Sequence, residues 1–70
     1  MMPLTMAEIG AENSIKRVGG QTETRKFLES LGFVPGGHVT VITRNGGNVI
    51  VSIKESRVAI SREMAAKIVV

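Results

Sequence analysis

The sequence predicts a mainly β protein: a small antiparallel sheet curled into a partly closed barrel, with one α-helix across an opening and short helical turns. Three observations carry this expectation. Short stretches between His38 and Ile60 alternate apolar and polar side chains with the period of two that a half-buried strand requires. Only one stretch, in the middle of the chain, has sustained helical spacing. The 8 glycines sit between these stretches, where turns belong. In so few residues, an arrangement of strand, helix, strand, hairpin, strand, short turn and strand favours a barrel, which also protects sheet edges. An open α+β sheet is the alternative that pattern alone leaves standing.

Taken from the amino end, Thr5-Met6-Ala7-Glu8 has the Thr-x-x-Glu spacing of a capping box, which predicts a single helical turn before Gly10. Ser14 to Val18 reads as a strand with Ile15 and Val18 apolar, ended by Gly19-Gly20. Thr24, Phe27, Leu28 and Leu31 fall at i, i+3, i+4 and i+7, one apolar stripe on a helix from about Thr22 to Leu31. Thr22 is the expected N-cap, and Glu23 favours the positive end of the helix dipole. Gly32 is placed to adopt the left-handed residue that ends a helix, with Phe33 folding back onto Leu28. Val34-Pro35-Gly36-Gly37 then has proline at i+1 and glycine at i+2, the requirement of a type II turn.

From His38 to Arg44, Val39 and Val41 share one face of a strand, with His38, Thr40 and Ile42 on the other. Asn45-Gly46-Gly47-Asn48 reads as a tight hairpin loop, because Asn-Gly accepts the positive φ values such turns need. The return strand puts Val49, Val51 and Ile53 on one face and Ile50, Ser52 and Lys54 on the other. Glu55-Ser56 is the expected next turn, followed by a strand Arg57 to Ile60 with Val58 and Ile60 inward. Ser61 should cap a short helical turn in which Glu63 and Lys67 form an i,i+4 pair, with Met64, Ala65 and Ile68 facing the core. Ile68-Val69-Val70 is the expected closing strand.

Composition narrows the function classes. Seventy residues suit one small domain spanning residues 1–70, and no apolar run approaches the ~20 residues of a membrane span. With Cys 0, disulfides, thiolate metal sites and a cysteine nucleophile are excluded. The opening Met1 to Met6 lacks a basic segment followed by a long apolar one, so a cytoplasmic protein is expected. An enzyme is not expected: no nucleophile, base and orienting group are recognisable together, and the serines lack a Gly-x-Ser-x-Gly context. Neither glycine pair stands in a phosphate-loop pattern.

Binding readings are fewer. His38 is the only imidazole and the candidate metal ligand, although a lone histidine at the start of a strand is more often a solvated side chain than a ligand. Glu8 and Glu12 are four apart but separated by Gly10, which argues against a shared helix face. No cofactor is required by these residues; a transition metal ion such as Fe2+ held with water is the metal reading. Formal net charge is +3, with Lys16-Arg17 and Arg25-Lys26 as doublets that suggest a positive patch. A basic nucleic-acid-binding barrel is the alternative this charge raises, but glutamates interleave with the basic residues and Phe27 and Phe33 are the only aromatics. No nucleic-acid partner is therefore expected. The stripe Phe27, Leu28 and Leu31 is assigned to the core rather than to docking, because so small a chain needs it inside.

The stretch Leu28-Glu29-Ser30-Leu31-Gly32-Phe33-Val34-Pro35-Gly36, followed by Val39-Thr40-Val41, resembles the FeoA family, small cytoplasmic proteins of bacterial ferrous iron transport. The resemblance extends over almost the whole chain. Leu4 to Gly10 is similar to the family's opening segment, Gly46-Gly47 to its hairpin, and Val58 to Arg62 with Ala65 to Val70 to its closing segment. Ala7 stands where a larger aliphatic residue is usual, Asn48 where proline is common, and Glu55-Ser56 where a glycine turn is frequent. The resemblance implies an SH3-like barrel and an accessory role by contact with the cytosolic GTP-binding part of FeoB, a membrane iron permease. It also extends to the C-terminal domain of iron-dependent repressors, without their DNA-binding helices. Leu28, Leu31, Gly32, Pro35 and Gly36 are the fold-defining motif, so a partner surface is expected elsewhere, with Lys16, Arg17, Arg25 and Lys26 as its candidates.

Overall fold

Fourteen buried apolar side chains form one core, with Phe33 the largest of those fully enclosed. In the computed structural model, which describes residues 1–70, these side chains lie between two antiparallel sheets and beneath one helix. The elements are a 3-10 turn Leu4–Met6, β1 Glu12–Ser14, β2 Arg17–Val18, α1 Thr22–Ser30, β3 His38–Asn45, β4 Asn48–Ile53, β5 Ser56–Ser61, α2 Arg62–Ala65 and β6 Ile68–Val69. The larger sheet has the order β1-β3-β4-β5 and the smaller pairs β2 with β6. The hydrogen-bond ladder therefore does not run continuously round the molecule: the fold is mainly β and barrel-like, but the barrel is not closed.

The stretch expected as one strand from Ser14 to Val18 is broken at Ile15 and Lys16, because the chain changes sheets there. Glu12 to Ser14 pair with β3, whereas Arg17 and Val18 pair with β6. Ile15 sits at the corner with its side chain 1% exposed; its N–H donates to the Gly37 carbonyl at 2.8 Å and its carbonyl accepts from Gly36 at 2.9 Å. The chain ends complete the smaller sheet. Met2 and Val70 exchange a reciprocal pair of backbone hydrogen bonds at 2.9 and 2.8 Å, and Pro3 bridges Val69.

The helix ends as its sequence requires. Gly32 has φ +108, its N–H donates to the Glu29 carbonyl at 2.9 Å, and the Phe33 N–H reaches back to the Leu28 carbonyl at 3.0 Å. These are the two bonds of a Schellman ending, and they place Phe33 in the core beside Leu28. The Ser30 hydroxyl donates to the Phe27 carbonyl at 2.6 Å, occupying another acceptor in the last turn. Gly36 has φ +88 and the Gly37 N–H donates to the Val34 carbonyl at 2.9 Å, which closes the expected type II turn.

Other local expectations are corrected. Gln21, not Thr22, is the N-cap of α1, and its carbonyl receives the Arg25 N–H at 2.9 Å. The helix stops at Ser30, with Leu31 its C-cap. Thr5 lies inside the 3-10 turn capped by Pro3, with no side-chain cap bond, so the capping box does not form. In the hairpin, Asn45 and Asn48 are paired ladder residues and only Gly46–Gly47 form the loop, with the positive φ (+60) carried by Gly46. The following turn is Lys54–Glu55 rather than Glu55–Ser56: both residues are left-handed, at φ 49 and 64, as a type I′ hairpin demands, and Ser56 pairs with Ile53 in the ladder. Ser61 caps α2 as expected, accepting from the Met64 N–H at 3.1 Å. That helix ends at Ala65, so Glu63 and Lys67 do not share a continuous helix.

Phe27 is also corrected. It is 48% exposed, while Leu28 is buried and Leu31 is partly buried against the core. A nine-residue helix on so small a sheet covers only the narrow stripe Thr24, Leu28 and Leu31, and Phe27, about 100° round from Leu28, falls outside it.

These turns carry a direct stability test. An added Cβ at Gly32 would meet the Lys54 Cδ at 3.2 Å and would also have to adopt a positive φ. Gly32→Val is expected to cost about 2 kcal/mol and Gly32→Ala about 1 kcal/mol in denaturant unfolding. Glu55→Gly, which relieves a left-handed non-glycine residue, is expected to raise stability by up to about 1 kcal/mol.

Candidate functional site

One irregularity in β3 decides how the polar surface is arranged. Up to Val41 the strand pairs regularly with β4, Val39 opposite Ile53 and Val41 opposite Val51; beyond it Thr43 pairs with Ile50 and Arg44 with Val49. Ile42 is thus the extra residue of a β-bulge, and because side chains alternate faces, one extra residue inverts the faces of everything after it. Simple alternation from Val41 would turn Arg44 outward. The bulge instead puts it on the same face as core residue Val49, at the end of the sheet, where its Nη2 donates to the carbonyls of Thr5, at 2.9 Å, and Ala7. On the other edge of β3, the Val41 carbonyl accepts the Gly10 N–H at 2.8 Å.

Arg44 forms one wall of a cleft of about 190 Å³ at the hairpin end of the molecule, lined also by Thr5, Gly46, Asn48, Val49 and Arg62. Arg62 is held there by its backbone, its N–H donating to the Gly47 carbonyl at 2.8 Å. Sequence reading singled out neither arginine, since Arg44 reaches the cleft through a bulge and Arg62 through a contact between the hairpin tip and α2.

His38 is exposed at the start of β3 and lines a wide, shallow groove of about 400 Å³ with Glu12, Thr40, Ser52, Lys54 and Glu55. The pairing of Glu12 with Thr40 and of Thr40 with Ser52 places this groove across the outer face of the larger sheet. Although His38 shares the groove with Glu12 and Glu55, no three histidine or carboxylate side chains converge closely enough to hold one ion. Glu8 is exposed in the opening loop and does not line the groove. A third, open depression lies between α1 and α2, lined by Thr24, Ser61, Glu63, Met64 and Lys67.

Lys16, Arg17, Arg25 and Lys26 are all exposed, and none of them lines a cleft. Lys16 and Arg17 occupy the extended step into β2, where successive side chains point to opposite faces; Arg25 and Lys26 lie about 100° apart on α1. Phe27 follows them directly and is the exposed aromatic of the chain, Phe33 being fully enclosed. Leu28, Gly32 and Phe33 are buried and Leu31 half-buried, whereas Pro35 and Gly36 shape an exposed turn, so the motif is spent on the fold.

A mainly β chain with this strand order, one helix entering through a Gly–Pro corner and a mixed polar surface defines a small SH3-like domain. The FeoA domain family matches residues 2–70, and the chain belongs to that family. A relative from Methanocaldococcus jannaschii bearing the name Fe(2+) transport protein A is 37% identical over 70 residues, covering 100% of this chain and 85% of the relative. Among solved structures, the iron uptake regulatory protein FeoA superposes with a TM-score of 0.87 at 25% identity, over 96% of this chain and 91% of that one. FeoA of Stenotrophomonas maltophilia, an SH3 domain protein solved with zinc, superposes at 0.84 and 23% identity over 99% and 88% of the two chains. A manganese-dependent transcriptional repressor shares the fold, with a TM-score of 0.85 at 19% identity, over 94% of this chain and 38% of the repressor.

The geometry around His38 predicts the outcome of a metal titration. Anaerobic addition of Fe(II) to the protein and to His38→Ala should give equal and weak binding, since one imidazole without converging carboxylates is a poor site for a divalent ion. At least a tenfold loss of affinity in the variant would instead identify His38 as a ligand.

Proposed function

We propose that this protein is an accessory component of ferrous iron transport that works in the cytosol by contact with the cytosolic part of a FeoB-like permease, and that it performs no catalysis. The observation that carries this reading is the FeoA family match across residues 2–70, joined to a fold whose recognisable motif is consumed in holding the core. The M. jannaschii relative is named for Fe(2+) transport, and the S. maltophilia relative is described as a candidate activating factor for it. No helix here is long and apolar enough to cross a membrane, which fits a role beside a permease rather than within the bilayer.

The contact face we assign is the outer side of α1 with the adjoining Lys16-Arg17 step. Phe27, 48% exposed, supplies an aromatic anchor of the kind that dominates binding energy, and Lys26, about 100° round the helix from it, adds a cation to steer approach. A footprint of about 800 Å² would claim nearly a fifth of the molecule's 4386 Å² surface, so the complex should be weak and fast to dissociate.

An NMR titration with the permease's cytosolic domain, with and without guanine nucleotide, tests both parts of the reading. Amide shifts clustered on α1 and residues 16–18 are expected. Phe27→Ala should weaken binding about tenfold, and the double reversal Arg25→Glu with Lys26→Glu should slow association more than it speeds dissociation. Absence of any shift at high concentration would contradict the contact; shifts confined to other surfaces would contradict the assigned face.

A further inference from the structure

The cleft at the hairpin end has a composition that the contact role does not use. We propose that it is an oxyanion site that takes a phosphate group, held between Arg44 and Arg62. Two guanidinium-bearing residues line one cavity of about 190 Å³, and its remaining wall is Thr5, Gly46, Asn48 and Val49, so neutral groups and cations meet there without a carboxylate. The chain has six acidic residues, all glutamate, and none of them belongs to this wall. An anion in this cleft would meet two cations of opposite sign to its own with no carboxylate on the wall to oppose it.

The two arginines are positioned independently of any ligand. Arg44 is turned onto this face by the bulge at Ile42 and fixed by its two bonds to the Thr5 and Ala7 carbonyls. Both bonds use Nη2, which leaves three of the five guanidinium donors, on Nη1 and Nε, for a ligand. Arg62 is anchored by its backbone bond to Gly47, so its side chain is free to close over an anion. Thr5 and Asn48, residues whose side chains carry neutral donors, line the same space. A fork of guanidinium donors matches the tetrahedral oxygens of phosphate and gives charge-assisted bonds, whereas a spherical chloride uses only part of that geometry. The phosphate could be inorganic or the terminal group of a nucleotide, since the recognised chemistry is the same.

The test is a titration of the whole chain, followed by amide NMR at constant ionic strength, with inorganic phosphate, a nucleoside triphosphate, the corresponding nucleoside and chloride. Saturating shifts at Gly46, Gly47, Asn48 and Arg62 are expected for the phosphate-bearing probes, with a dissociation constant on the order of 1 mM, and none for the nucleoside or chloride. Equal midpoints for phosphate and triphosphate would identify the free ion as sufficient, and a tighter triphosphate would identify a nucleotide; both support the site. Arg62→Gln, which keeps the backbone anchor, should weaken binding about tenfold, as should Arg44→Gln, while Lys26→Gln should leave it unchanged. Because Arg44→Gln also removes a tie to the amino-terminal turn, its unfolding curve is measured alongside, and Arg62→Gln carries the decision. Linear shifts common to phosphate and chloride, spread over the basic surface, or undiminished saturation in Arg62→Gln, would overturn the proposal.

Discussion

Everything in this fold hangs on the placement of Phe33. It is the largest side chain wholly removed from water, and burying it is worth roughly 2–3 kcal/mol in transfer free energy alone. A helix stop and a turn put it there: Gly32 reverses the backbone so that the Phe33 amide returns to Leu28, and Pro35-Gly36 redirect the chain into β3. That same corner receives the bend at Ile15, whose N–H donates to the Gly37 carbonyl and whose carbonyl accepts from the Gly36 N–H. One stretch of about ten residues thereby ties the helix, the larger sheet and the crossing to the smaller sheet.

The second organising feature is the pairing of the chain ends. Met2 with Val70 and Pro3 with Val69 add a third segment to the small sheet, while the 3-10 turn buries Leu4 and leads on to the buried Ala7. Arg44 fastens this turn to the hairpin by bonding two of its carbonyls. A small core needs such polar fastenings, because its buried apolar surface barely exceeds the entropy lost in ordering the chain. The bulge at Ile42 is what makes the Arg44 fastening geometrically available.

Most of the architecture could be read in the residues because its decisive points are written by backbone chemistry. Gly32, Pro35 and Gly36 admit few conformations, and the Val39, Val41, Val49, Val51 and Ile53 alternation admits one inward face. What escaped was non-local. The change of sheet at Ile15 depends on where Gly37 and Val69 happen to lie, and the bulge at Ile42 has no local marker, since Val-Ile-Thr would suit a regular strand equally well. Lys54 and Glu55 adopt left-handed conformations without glycine because the ladder on either side dictates a two-residue turn. Phe27 lies outside the core: helical spacing says which side chains share a stripe, but not how wide a stripe the sheet can cover. Of the site, His38 and the basic doublets were visible as residue types, whereas the Arg44–Arg62 pair exists only in three dimensions.

The surface of this SH3-like domain is rigid only if the corner joins the two sheets into one cooperative unit. Native-state hydrogen exchange measures this most directly. The amides of Phe33, Ile15 and Gly37 should exchange with the same opening free energy as those in the middle of β3 and β4, equal to the global stability from denaturant unfolding. If those three amides instead open at far lower free energy while the β3–β4 ladder stays protected, the corner is an ornament on an independently stable sheet, and the placement of Phe33 does not hold this fold together.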